Sequence, residues 1–173
     1  MSQPEINIIY GDHHIYTIET PTNWFNDKEA AQNIGLTNFF YNPDDPNDGK
    51  RCYMYTNGYD KTSSEENLQS FVKADIETFQ KKYPDVKYEK VSLGFEAPII
   101  DGIMLSFSNL HDRYGEEVIY LEVEETIIVF SFAAFTKSDY DKYIRRFDKE
   151  FIGSFTYRGN NPKPFLEWQK NNE

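Results

Sequence analysis

A chain of 173 residues, 17% of them aromatic, fits one domain and is long enough to bury a core without disulfides or a structural metal. Its formal charge of -11 and pI near 4.7 exclude the Lys and Arg clusters that nucleic acid and anionic membranes require, so the expected partner is a neutral or basic protein. The lone cysteine, Cys52, excludes an internal disulfide and leaves the redox compartment open.

The opening MSQPEINIIY has neither a basic n-region nor a long apolar run, so neither a signal peptide nor direct membrane insertion is expected of this sequence. The expected location is periplasmic or cell-surface where an upstream signal has been removed, and cytoplasmic otherwise. INIIY (6–10) and HHIYTIET (13–20) read as strands joined by the two-residue connection Gly11-Asp12. Pro21 and Thr22-Asn23-Trp24 end the pairing, and DKEAAQNI reads as a short helix that Gly35 terminates. TNFFY (37–41) and RCYMYT (51–56) are then strands joined by YNPDDPNDGK (41–50). Ser63-x-x-Glu66 spells a capping box, and Leu68, Phe71, Val72, Ile76 and Phe79 share one face until Pro84 intervenes, which predicts a helix over 64–82.

VKYEKVSL, PIIDGIMLSFS, EEVIYLEV and TIIVFSFAA follow as an antiparallel meander broken at Gly94, Arg113-Tyr114-Gly115 and Glu124-Glu125. Both alternating sets of TIIVFSFAA are apolar, so both faces of the sheet need helical cover. Residues 138–151 supply the second cover, with Ser138 as cap and Tyr140, Tyr143, Ile144, Phe147 and Phe151 as the stripe. SFTY (154–157) is a last strand, and from Gly159 a turn-rich tail carries Phe165, Leu166 and Trp168. The expected organisation is one domain over 1–158 with a C-terminal tail over 159–173. The expected fold class is α+β, an α/β/α sandwich with a central, mainly antiparallel sheet of about six to eight strands covered by helices on both faces.

YNPDDPNDGK invites comparison with a calcium loop. With Gly49 at position six, Asp44 falls at one, but Pro46 falls at three and Tyr55 at twelve, where a bidentate Glu belongs, so the segment reads as a polar turn. His13 and His14, as neighbours on a strand, face opposite ways and cannot grip one ion, and His111 in NLHDRYGEE reads as a solvated loop residue. Cys52 is in phase with Met54 and reads as a small buried hydrophobe rather than a nucleophile. Glu122 and Glu124 share a strand face at a spacing a carboxylate pair uses, with edge-strand solubility as the simpler explanation. No catalytic residue, metal or cofactor is therefore expected.

Two features point to partner binding. Tyr53 and Tyr55 form one strand face, but the tail aromatics Phe165 and Trp168 are the stronger candidates for an apolar patch. Asp44, Asp45 and Asp48 exceed what a turn requires and place negative charge where a basic partner would first meet it.

The order of hairpin, Pro21 and Trp24, short helix, Tyr41-Asn42-Pro43 after the third strand, long helix, meander, and Tyr140 through Phe147 to Ser154-Phe155 resembles the PsbP-like superfamily. That group includes PsbP, the Ran-binding nucleotide-release factors and related bacterial envelope lipoproteins. The resemblance spans roughly residues 6 to 157 and implies an α/β/α sandwich acting as a non-catalytic interaction or assembly module. The alternative is a small-ligand-binding protein or hydrolase with its pocket between sheet and helix. The first predicts no buried ionisable group with a strongly displaced pKa; the second predicts a deep pocket containing one.

Overall fold

The computed structural model describes residues 4–42, 52–63, 66–92 and 101–171, apart from the Asp101 side chain. A hairpin of β1 (Ile6–Tyr10) and β2 (Ile15–Glu19) opens the chain, followed by β3 (Phe25–Asn26), α1 (Lys28–Asn33), β4 (Asn38–Tyr41), β5 (Cys52–Asp60) and α2 (Leu68–Lys82). β6 (Lys87–Val91), β7 (Asp101–Ser108), β8 (Gly115–Val123) and β9 (Thr126–Ala134) form the meander. α3 (Lys137–Arg146) runs on through a π-helical turn (Phe147–Phe151) and a 3-10 turn (Ile152–Ser154) to β10 (Thr156–Gly159) and α4 (Lys163–Lys170).

Seven antiparallel strands in the order β3-β4-β5-β9-β8-β7-β6 make the main sheet, and β1-β2-β10 make a second sheet of three. β9 is buried along its whole length because its two alternating sets face two cores. Ile127 and Val129 join Leu68 and Val72 of α2 on one face, while Ile128, Phe130 and Phe132 meet Phe147 and Phe151 on the other. The α/β/α sandwich is thus present. Its second outer layer is shared between α3 and the small sheet, whose Ile9, Tyr16 and Ile18 enter the same core.

Several local expectations are corrected. The β1–β2 connection has four residues rather than two: Tyr10 pairs with Ile15, and Gly11 N donates to His14 O at 3.0 Å. α2 begins at Leu68 rather than 64, because Asn67 and Ser70 form a reciprocal capping box and Glu66 is engaged by Thr62 N at 2.6 Å. Of the five apolar residues on its face, Leu68 and Val72 are buried, whereas Phe71, Ile76 and Phe79 pack half-buried against the core. Thr136 rather than Ser138 caps α3, accepting from Asp139 N at 3.1 Å. Residues 163–170, read as part of a turn-rich tail, are helical.

A buried asparagine network ties the small sheet to the edge of the large one. Asn7 of β1 donates to Thr20 Oγ1 at 2.8 Å, and Asn26 of β3 donates to Asn7 Oδ1 at 2.7 Å and to Asn38 Oδ1 at 2.8 Å. Satisfied in this way, buried amides hold β1 in one register instead of destabilising the core.

Candidate functional site

Glu116 and Glu117 are adjacent on β8, so strand alternation sends one carboxylate to the α2 face and the other to the α3 face; both are almost fully buried. Glu116 lies in a cleft of about 300 Å³ lined by Tyr53, Tyr55, Phe79, Tyr83 and Arg113. The Arg113 guanidinium binds four of the polar side chains around it. Nε donates to Asp112 Oδ1 at 2.9 Å, Nη1 to Tyr53 OH and to Glu116 Oε2 at 2.9 Å, and Nη2 to Tyr83 OH and Asp112 Oδ2, both at 3.1 Å. All five N–H donors are used. The other Glu116 oxygen accepts from Ser131 Oγ at 2.7 Å.

The electrostatics follow from these contacts. Burial pushes the Glu116 carboxyl above its ordinary pKa against the opposing pull of Arg113 and Ser131. The hydrogen bond from Arg113 leads the effects that hold Asp112 down to about 2. On the opposite face, burial raises Glu117, whose Oε1 accepts from Ser106 Oγ at 2.6 Å and from Tyr140 OH, while Oε2 is buried without a hydrogen-bond partner. The expectation that an interaction domain would bury no ionisable group with a strongly displaced pKa is not met, because the Tyr55 hydroxyl of the same cleft is pushed well above its ordinary value. The physical reason is burial, reinforced by the neighbouring Glu116 carboxylate, in the interior of a sheet covered on both faces.

His14 is not a strand residue paired with His13; it leaves the hairpin turn and buries its ring between Gly11 and Gly58. A Cβ on Gly58 would stand 2.4 Å from His14 Nε2, and one on Gly11 would stand 2.3 Å from its Cε1. Nδ1 donates to Asp60 Oδ1 at 2.7 Å, and Asp60 also accepts from Asp12 N, His13 N and Thr126 Oγ1. Partial burial works against the Asp60 charge, and the bonds from His14, His13 and Thr126 outweigh it, holding the carboxyl below its usual value. The dyad organises the turn.

The remaining candidates are apart from one another. His111 is exposed, with its ring 4.9 Å from that of Tyr83, and Cys52 is buried in the core. Glu122 binds Lys61 Nζ at 2.8 Å and Leu68 N at 3.0 Å, whereas Glu124 sits in the β8–β9 turn at φ 52°, so the two do not form a carboxylate pair. Among the described residues no three His, Cys, Asp or Glu side chains converge as a metal site requires, and no helix is long and apolar enough to cross a membrane.

Phe165 and Trp168, one turn apart on α4, do come together, with ring centroids 6.3 Å apart, and Phe165 lies 5.9 Å from Tyr10 of β1. Trp168 is 61% exposed, and Ile6, Ile8 and Tyr10 are exposed along β1, where they share a groove with Phe165. Sequence reasoning found the two helix aromatics but not the three strand residues that extend their patch. The signal was present in INIIY, whose outward set is as apolar as its inward one. Asp44, Asp45 and Asp48 lie outside the described residues.

No protein-family model matches the chain, and no curated protein matches it in sequence. Solved structures do. Cyanobacterial PsbP (CyanoP) from Synechocystis sp. PCC 6803 superposes with a TM-score of 0.59 at 11% identity, covering 90% of this chain and 94% of that one. The fold is that of PsbP and Mog1. The Ran-binding protein Mog1p of Saccharomyces cerevisiae gives a TM-score of 0.56 at 9% identity over 89% of this chain and 95% of its own. A Mog1 E65A mutant gives 0.56 at 10% identity over 90% and 96%. The PsbP/Mog1 relationship is distant, and at this identity it establishes architecture.

Proposed function

We propose that this protein is a non-catalytic protein-interaction or assembly module that docks a neutral or basic protein partner through the apolar surface formed by β1 and α4. The carrying observation is the contiguity of Ile6, Ile8, Tyr10, Phe165 and Trp168 on a chain of net charge -11. Exposed aromatics grouped with aliphatic side chains are the usual anchors of protein interfaces. Asp44, Asp45 and Asp48 add long-range attraction for a basic partner, raising its association rate more than its affinity. The setting carried over from the family resemblance is the bacterial cell envelope.

The Mog1p neighbour is described as Ran-binding, which supports a protein ligand for this architecture without naming one here. Against a hydrolase or small-ligand binder stands the cleft under α2, where Arg113 and Glu116 already satisfy each other and no donor of the guanidinium is left for a ligand.

A pull-down over a salt series tests the proposal with wild type, Phe165→Ala/Trp168→Ala and Asp44→Asn/Asp45→Asn/Asp48→Asn, each checked by circular dichroism. The expected result is a discrete protein recovered by wild type, lost with the aromatic double variant, and recovered less by the aspartate variant at low salt. Equal recovery by all three would overturn it.

A further inference from the structure

Among the described residues the two sheets present four edges, and these are not alike. An edge strand offers unpaired N–H and C=O groups to any passing chain, and folded proteins normally blunt it with charge, brevity or a bulge. β3 has two residues, β6 (KYEKV) carries Lys87, Glu89 and Lys90, and β10 combines Arg158 with a register shift between Tyr157 and Gly159. β1 reads INIIY, with no charge, no proline and regular pairing from Ile6 to Tyr10. It alone carries no such device among the four.

The register shows which groups face outward. Thr20 N donates to Glu5 O at 2.8 Å and Gly11 N to His14 O at 3.0 Å, so the pairs 5–20 and 11–14 are hydrogen-bonded and the alternation assigns Asn7 and Ile9 to β2. The N–H and C=O of Ile6, Ile8 and Tyr10 point away from β2, and their side chains are 61%, 41% and 44% exposed. Along this edge runs a groove of about 570 Å³, with Lys28, Gln32 and Leu36 on its lining beside Phe165. Of its twelve lining residues only Lys28 is charged.

We propose that an extended segment of the partner protein adds to β1 as a further strand, with alternate apolar side chains resting on Ile6, Ile8, Tyr10 and Phe165 and with Lys or Arg at its flanks. This rests on the docking function proposed above and names the form of its ligand. Backbone pairing supplies affinity in this mode and the alternate side chains supply specificity. The basic flanks follow from Glu5 and Asp12, which are exposed at the two ends of β1, and from the net charge of -11. One strand fits a groove with a far wall; a second copy of this chain would bring its own β2 and α1 into the same gap, along with another eleven negative charges.

The test is a displayed library of random decapeptides panned on the folded protein, with recovered peptides measured by fluorescence anisotropy against wild type, Ile8→Pro, Ile8→Lys and Phe165→Ala/Trp168→Ala. Ile8→Pro removes an outward N–H that β2 does not use, a substitution edge strands tolerate. The expected peptides alternate apolar residues between basic ends. Their binding weakens about tenfold or more in Ile8→Pro, and equally when the peptide is N-methylated at the backbone amides that pair, a control independent of how the variant folds. Recovered peptides that ignore both the proline and the N-methyl groups but need Phe165 and Trp168 would overturn strand addition while leaving docking intact. Peptides indifferent to all three changes would overturn both. Sedimentation showing a wild-type dimer that Ile8→Lys converts to monomer would assign the edge to a second copy and overturn the partner strand.

Discussion

In the cleft under α2, Arg113 directs five N–H donors to Tyr53, Tyr83, Asp112 and Glu116, whereas along β1 three backbone units and three apolar side chains face outward. The cleft has the concavity, the buried carboxylate and the displaced pKa that commonly mark an active site, yet the five donors of its buried guanidinium are already matched and its other cation, Lys82, stands exposed over the Tyr83 ring. The β1 groove has almost no charge but leaves hydrogen-bonding capacity and apolar area open together. A perturbed pKa reports burial; a binding site is reported by capacity left unfilled. On that criterion the Arg113-Glu116 pair is internal architecture, and the groove is the surface proposed for docking.

The largest expected effect of breaking this contrast is in the cleft. Arg113→Ala leaves the Glu116 carboxylate buried without its cation and should cost about 3 to 5 kcal/mol of stability in urea denaturation. Peptide capture by the fraction still folded should be unchanged. A loss of capture with intact stability would assign the ligand to the cleft instead. Next, Asn26→Ala strands Asn7 Oδ1 and Asn38 Oδ1 in the core, and should cost about 1 to 3 kcal/mol while loosening the register of β1, measured by denaturation and by amide exchange at Asn7 and Ile9.

A smaller effect is expected in pH dependence. Burial raises the carboxyls of Glu116, Glu117, Asp75 and Asp148, so the folded state binds their protons more tightly than the unfolded chain, and stability should rise as pH falls from neutral toward the ordinary carboxylate range. Asp112 has the opposite sign: its contribution is present above its unfolded value near pH 4 and is lost as pH falls toward about 2. Thermal unfolding against pH should therefore show a mildly acidic maximum, and Glu117→Gln should flatten its neutral side. A stability that falls steadily below neutral pH would contradict the burial assigned to these groups. Smallest in stability is Trp168→Ala, expected within about 0.5 kcal/mol of wild type because the side chain is exposed, while partner capture is lost.

Much of this architecture is legible in the residue pattern. TIIVFSFAA, apolar in both alternating sets, requires two covers, and the periodic residues of α2 and α3 supply them. What escaped the pattern depends on residues distant in sequence. His14 leaves the strand because Gly58 makes room for its ring and Asp60 accepts a hydrogen bond from its Nδ1, contacts more than forty positions away. Arg113 reads as part of a break until Tyr53 and Tyr83 converge on it, although two adjacent glutamates leading a buried strand already called for a cation and for donors on both faces. α4 was obscured by Pro162 and Pro164, which suggest a turn yet are compatible with a helical first turn. The patch was half visible, since Phe165 and Trp168 stand out, but β1 becomes an edge only once β2 takes β10 as its other neighbour.

The most direct measurement is residue-resolved amide exchange of β1 with and without a selected peptide. The expected result is alternation: Asn7 and Ile9, bonded to β2, are protected in both states, while Ile6, Ile8 and Tyr10 exchange freely alone and become protected when the peptide binds. Protection that appears instead around Tyr53, Tyr83 and Arg113, with Ile6, Ile8 and Tyr10 unchanged, would contradict docking at β1 and return the function to the cleft.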